Sequence, residues 1–165
     1  MTTIEEAVAK ARRYAEERGA IWSEEPPAVI VVRGDYWFLR VGFIGSSGVI
    51  IDKESGRLFI MGSALSEDDM FWGHENGFSG ERTALRITSV RDLNRTVEFL
   101  FYAVKDGPGS TRDPHPRRAW LKEQLATLPR TFRNQPLWLG IPAFRAVREK
   151  DQWFTFEAAP DDAAA

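Results

Sequence analysis

The sequence contains no cysteine, so disulfides and thiol chemistry are excluded, and a reducing compartment fits. It has only two histidines, His74 and His115. No apolar run approaches the length needed to span a bilayer, so no membrane association is expected. No segment shows the dense Lys/Arg clustering of a nucleic-acid binder, which makes nucleic acid an unlikely partner. The chain opens MTTIEEAVAK, with acids where a secretory signal would be basic and apolar. A cytoplasmic protein is the expectation. No tract is of low complexity, and no internal repeat is evident.

What is present is an ordinary globular composition, 43% hydrophobic and 28% charged. The 165 residues suit one domain with a real core. The expectation is a single domain over 1–160 with a frayed tail over 161–165. The net charge of -2 conceals an asymmetry. Met1–Glu81 carries 8 basic and 14 acidic residues, and the remainder carries 14 and 10.

Apolar spacing predicts a helix over 3–18, with Ile4, Ala7, Val8, Ala11, Tyr14 and Ala15 on one face. Thr3 and Glu6 have capping-box spacing. After the helix-breaking SEEPPA come strand-like runs at 28–32 and 36–44, then a hairpin from 49–52 through Lys53–Gly56 to Gly62. On the strand at 36–44, Trp37, Leu39, Val41 and Phe43 share a face. Residues 63–82 read as an irregular, glycine-punctuated loop. A short strand over 85–88 and a helix over about 90–104, capped by Ser89, follow. A strand over Thr96–Val104 is the alternative there. Residues 105–116 read as a loop and 117–128 as a helix with Trp120, Leu121, Leu125 and Leu128 inward. Strands are expected at 137–139 and 152–156, and 142–149 is ambiguous. The fold class is therefore α+β: an N-terminal helix packed on a mostly antiparallel β-sheet, with additional helices from the C-terminal half.

Three features resemble the immunity protein 35 (YrhB-like) family. They are the opening helix TIEEAVAKARRYAEE, the aromatic strand DYWFLRVGF, and VIIDKESGRLFIMGSAL. The resemblance covers about residues 3–65. It implies a small α+β protein that neutralises a bacterial polymorphic toxin, with no catalytic residues to carry over. Residues after about Glu81 have no counterpart in that family. ITSVRDLNRTVEFLF at 87–101 is similar to the first strand and helix of glyoxalase-type metal enzymes. Those need His and Glu ligands on successive strands, and no histidine lies on the strand at 85–88.

Other catalytic patterns are equally thin. His74 and Glu75 are adjacent, so their side chains diverge, and no HExxH follows. His115 lies between two prolines, as in a rigid exposed turn. GSSG at 45–48 lacks a nucleophile-elbow pattern, and GPGST at 107–111 lacks the lysine of a phosphate loop. No metal and no cofactor are expected.

The segment 67–81 is the candidate partner surface. It combines the acids Glu67, Asp68, Asp69 and Glu75 with Phe71, Trp72 and Phe78. Aromatic anchors among charges are the composition of interface hot spots, and acids steer a basic partner such as a nuclease toxin. The competing reading has Phe71 and Trp72 plugging the core while the acids stay hydrated. Arg112, Arg117, Arg118, Lys122, Arg130 and Arg133 form a possible second, basic surface, or simply a solvated helix face. The expected function is a protein-binding module of immunity type that occludes a basic toxin domain, and not an enzyme. A hydrolase or metal-dependent enzyme, and a secretion-system chaperone or adaptor, are the alternatives. The oligomeric state is open at this level.

Overall fold

The computed structural model describes residues 1–17, 30–40, 46–62, 64–78, 82–109 and 113–161. The start of the strand expected at 28–32, the part of the aromatic strand that holds Val41 and Phe43, and Arg112 lie outside the described residues. Among the described residues are five α-helices and two antiparallel sheets, of four and three strands. The fold is α+β. The chain divides into two compact units, Met1–Glu67 and Asp68–Ala165.

The first unit is α1 (Ile4–Glu17) and the sheet β1-β2-β3-β4, formed by Ile30–Arg33, Tyr36–Leu39, Ser46–Asp52 and Leu58–Gly62. The capping box is realised. The Thr3 N–H donates to the Glu6 carboxylate at 2.8 Å, and the Glu6 N–H donates to Thr3 Oγ1 at 3.3 Å. The face turned to the sheet is a line of small residues, Ala7, Ala11 and Ala15, all fully buried. Ala7 and Ala11 pack with Leu39, Val49 and Ile51, and Val8, Trp37 and Leu58 border that cluster. Ile4, Val8 and Tyr14 are only half-buried, so the expected apolar stripe is rotated toward the alanines. An alanine line lets the helix backbone approach the sheet closely.

Hydrogen bonds to backbone carbonyls hold the start of α1 to the sheet and its hairpin turn. The Thr2 N–H donates to the Lys53 carbonyl at 2.6 Å, and Trp37 Nε1–H donates to the Thr2 carbonyl at 3.2 Å. The expected hairpin joins β3 to β4. Asp52 Oδ1 accepts from the Ser55 N–H and Oγ–H at 2.6 and 2.7 Å, and the Gly56 N–H donates to the Asp52 carbonyl at 3.0 Å. Gly56 closes the turn at φ +65°, and Lys10 Nζ donates to its carbonyl.

The second unit carries α2 (Glu67–Glu75, beginning on the last residue of the first unit), β5 (Thr83–Val90), α3 (Leu93–Ala103), α4 (His115–Gln124), β6 (Arg130–Gln135), α5 (Ile141–Ala146) and β7 (Phe154–Pro160). Its sheet order is β6-β5-β7. Several expectations change here. The stretch 63–82 is not wholly irregular, because α2 occupies its middle. The helix expected over about 90–104 forms over Leu93–Ala103, but its cap is Asp92 rather than Ser89: Asp92 Oδ1 accepts the Arg95 N–H at 3.0 Å. Residues 138–140 form a 3₁₀ turn rather than a strand; β5 pairs on one side with β6, where no strand is expected from the sequence, and on the other with β7, which overlaps the strand expected at 152–156. The ambiguous 142–149 spans the body of α5 and the start of a π-type turn over Val147–Asp151. Leu121 and Leu125 are buried as expected, whereas Trp120 and Leu128 are half-buried. Asp161, placed in the expected tail, is tied down: its side chain accepts the Asn134 N–H at 2.6 Å, and its N–H reaches the Arg82 carbonyl at 3.1 Å. Residues 162–165 lie outside the described residues.

A side chain at Gly56 would enter a strained backbone region and press on Thr2 Oγ1 at 2.9 Å and Lys10 Nζ at 3.0 Å. Gly56→Val is expected to destabilise the protein by about 1 kcal/mol or more through backbone strain. Urea unfolding of the two proteins measures this, and an unchanged midpoint refutes it.

Candidate functional site

Helix α2 sorts the candidate residues by burial. Met70, Phe71 and Phe78 face inward and are buried. The Phe78 ring lies 5.0 Å from Phe144 and 6.0 Å from Phe156, centroid to centroid. Phe71 and Phe78 therefore belong to the core and offer little surface to a partner, which corrects their place in the expected contact set. Asp68 and Glu75 are exposed, and Trp72 is half-buried between them in sequence. Positions 68, 72 and 75 follow i, i+4, i+7 spacing, so they share one stripe of the helix.

The other two acids are engaged. Glu67 accepts Arg40 Nε and Nη2 at 2.6 and 2.7 Å, a bidentate pair that raises the arginine pKa. Asp69 accepts Arg145 Nη1 at 3.1 Å, and Arg145 also pairs with Glu149 at 3.2 Å. Hydrogen bonding to Asp69, then to Glu149, raises the Arg145 pKa.

Trp72 rests on a residue that spacing did not single out. The Arg148 guanidinium lies 5.5 Å from the Trp72 ring centre and 4.3 Å from that of Phe156. Arg148 Nη1 donates to Asn76 Oδ1, and Nη2 donates to the Phe156 carbonyl at 2.8 Å. Burial lowers its pKa. These bonds tie the turn after α2 to β7, and the stacked Trp72–Phe78 pair at 5.9 Å extends the same layer. Arg148 sits in the segment whose periodicity is ambiguous, so only its charge was visible in the sequence.

Gly73, which reads in the sequence as a breaker, is inside α2 for a packing reason. A Cβ there would lie 2.6 Å from Ile141 Cδ1. The glycine lets α2 approach α5 closely enough for Phe78 to reach Phe144.

The two histidines are not brought into one cluster with carboxylates. His74 is half-buried on α2, and His115 is exposed at the first turn of α4. Among the described residues, no group of three or more His, Asp or Glu could hold a metal ion. The basic residues also separate. Arg118 on α4 pairs with Glu98 on α3 at 2.5 and 2.9 Å and covers Phe101 at 4.7 Å. Hydrogen bonding from Arg118 lowers the Glu98 pKa. Arg117 donates to the Val104 carbonyl. Arg130 stacks over Phe132 at 6.0 Å, and Arg133 lies 3.5 Å from Asp161. Lys122 is exposed. Arg117 and Arg118 thus tie α4 to α3 and the residue that follows it, while Arg130 and Arg133 make their contacts on and beside β6. Tyr102, 76% exposed beside this group, is an aromatic that the sequence pattern had assigned no role.

No family model, no curated protein and no solved structure matches the chain.

Gly73→Ala is expected to cost about 1–3 kcal/mol by overpacking against Ile141. The added cost should shrink by half or more in an Ile141→Val background, which removes Cδ1. A double-mutant cycle on chemical unfolding measures the coupling, and additive effects would refute the proposed contact.

Proposed function

We propose that this chain is a protein-binding module of immunity type, which neutralises a bacterial toxin domain by occluding it. The observation that carries the reading is the α2 stripe Asp68–Trp72–Glu75: a half-buried aromatic between two exposed acids on one face of a helix. Tryptophan is favoured at the centre of binding surfaces because it combines a large apolar area with one hydrogen-bond donor. A helix presents it with less ordering cost than a loop. The flanking carboxylates favour a basic partner and speed its approach. The likeness of residues 3–65 to immunity proteins supports the toxin-neutralising form. The setting is the bacterial cytoplasm, before the toxin is exported. No helix among the described residues is long and apolar enough to cross a membrane.

The contact set is thus Asp68, Trp72 and Glu75 at the surface, with Phe71 and Phe78 supporting them from the core. Asp69 and Glu67 hold arginines of their own chain and contribute through position.

The test begins with purification of the tagged chain from its source organism and identification of the bound protein. Asp68→Asn with Glu75→Gln should slow association several-fold and flatten its salt dependence. Trp72→Ala should accelerate dissociation, at a cost of about 2 kcal/mol or more. Melting temperatures measured alongside separate lost contact from lost fold, because Trp72 also stacks on Arg148. Folded variants with unchanged partner kinetics would refute the reading.

A further inference from the structure

One flank of α1, beside its alanine face, carries an open groove of about 400 Å³, lined by Ile4, Glu5, Val8, Ala9 and Arg12. Glu5, Val8, Ala9 and Arg12 stand at i, i+3, i+4 and i+7, so they form one stripe along the helix. The order of chemistry on that stripe is acid, apolar, small, base, and its midpoint falls between Val8 and Ala9. Such a stripe complements itself when run backwards. In an antiparallel crossing at Val8/Ala9, Glu5 of one helix faces Arg12 of the other, and the pair occurs twice. A two-fold interface requires this self-complementarity. Ala9 at the centre permits close approach of the axes, and Ile4 with Val8 supplies apolar contact.

We propose that the α1 groove is a homodimer interface, occupied by α1 of a second copy of this chain in antiparallel orientation, with reciprocal Glu5–Arg12 pairs. The inference is independent of the partner reading, which concerns α2. The neighbouring face of α1, about a quarter-turn round the helix, is already used, since Ala7, Ala11 and Ala15 are fully buried on the sheet and Val8 borders their cluster. The helix is therefore held along the neighbouring side and presents the stripe in a defined orientation. Arg12 also interacts within its own chain, and the five donors of a guanidinium can serve both partners. One helix pair buries less than a standard interface, so the dimer is weak, with a dissociation constant on the order of 100 µM.

Sedimentation of the full chain between about 10 µM and 1 mM, a range that brackets this affinity, is the primary measurement. Wild type should shift from monomer to dimer across the range, and the shift should diminish at high salt. Glu5→Arg places only cations at the crossing, and Arg12→Glu places only anions. Each alone should weaken dimerisation at least about tenfold, because symmetry introduces every like-charge contact twice. Mixing the two variants restores both opposite-charge pairs, so a heterodimer should form to within about threefold of the wild-type affinity. If a reversal lowers the melting temperature, Glu5→Gln and Arg12→Gln carry the same comparison: each weakens the dimer, and the double variant is no weaker than either single one. A chain that stays monomeric at the highest concentration overturns the proposal. So does a dimer indifferent to both reversals, and so does a mixture of the two reversals that fails to associate.

Discussion

The second unit depends on one aromatic cluster. Phe78, Phe99, Phe144, Phe154 and Phe156 meet ring to ring, with centroids 4.9 to 6.0 Å apart and mostly tilted or edge-on. Those geometries suit the ring quadrupoles, and each buried phenylalanine contributes roughly 1.5–3 kcal/mol. The rings come from α3, α5, β7 and Phe78, three residues beyond the end of α2. Phe78 anchors the turn after α2 to the cluster, and Trp72 of α2 stacks on Phe78. With Met70, Phe71 and Phe78 turned in, Asp68, Trp72 and Glu75 must turn out. The acidic stripe follows from core packing, and the bidding for each side chain is settled before any partner is considered. Gly73 is the geometric condition for this arrangement, since a methyl group at that position would hold α2 away from Ile141.

The first unit obeys a different constraint. Its helix lies on the sheet through three alanines, and alanine gives little burial energy. The compensation is close approach and a set of polar ties at one end: Thr2 to Lys53, Trp37 to Thr2, and Lys10 to Gly56. Lys53 is central, because its Nζ also reaches the Gly34 carbonyl at 2.6 Å and sits 4.5 Å above the Trp37 ring. Because the alanine face is the one in use, the half-buried Ile4 and Val8 are left at the border of the helix rather than beneath it. That residual apolar edge is what the α1 groove consists of.

Regular periodicity made much of the fold legible in the sequence. The capping box at Thr3 and Glu6, the turn at Gly56, and the burial of Val97, Leu100 and Phe101 on α3 all follow from local spacing. The misreadings have local causes. α2 was obscured because Gly73 and Gly77 look like punctuation, while the reason for Gly73 lies in Ile141, far along the chain. β6 was obscured because RTFRNQ buries only Phe132 and Gln135, and Gln135 is buried as a polar hub. Its Oε1 accepts the Lys105 N–H at 2.8 Å, and its Nε2 donates to Asp106 at 2.7 Å. A strand whose inward residue is a glutamine gives no apolar alternation. Leu137–Leu139 looked strand-like by composition alone, and the turn there leaves Leu139 exposed.

The charge asymmetry has a similar lesson. Divided at Glu81, the sequence is strongly acidic before and basic after. Divided by compact unit, Met1–Glu67 has 8 basic and 10 acidic residues, and Asp68–Ala165 has 14 of each. The acidic excess thus resides largely in Asp68, Asp69, Glu75 and Glu81, not in a whole unit. Asp69 is neutralised by Arg145 within its own surroundings. A diffuse acidic half would attract any cation at long range, but screening would suppress that beyond about 8–10 Å at physiological salt. A short acidic stripe beside an indole acts within that distance. In the proposed binding role, selectivity would rest on where a partner places its charges relative to an apolar contact, a geometric demand that net charge alone does not impose.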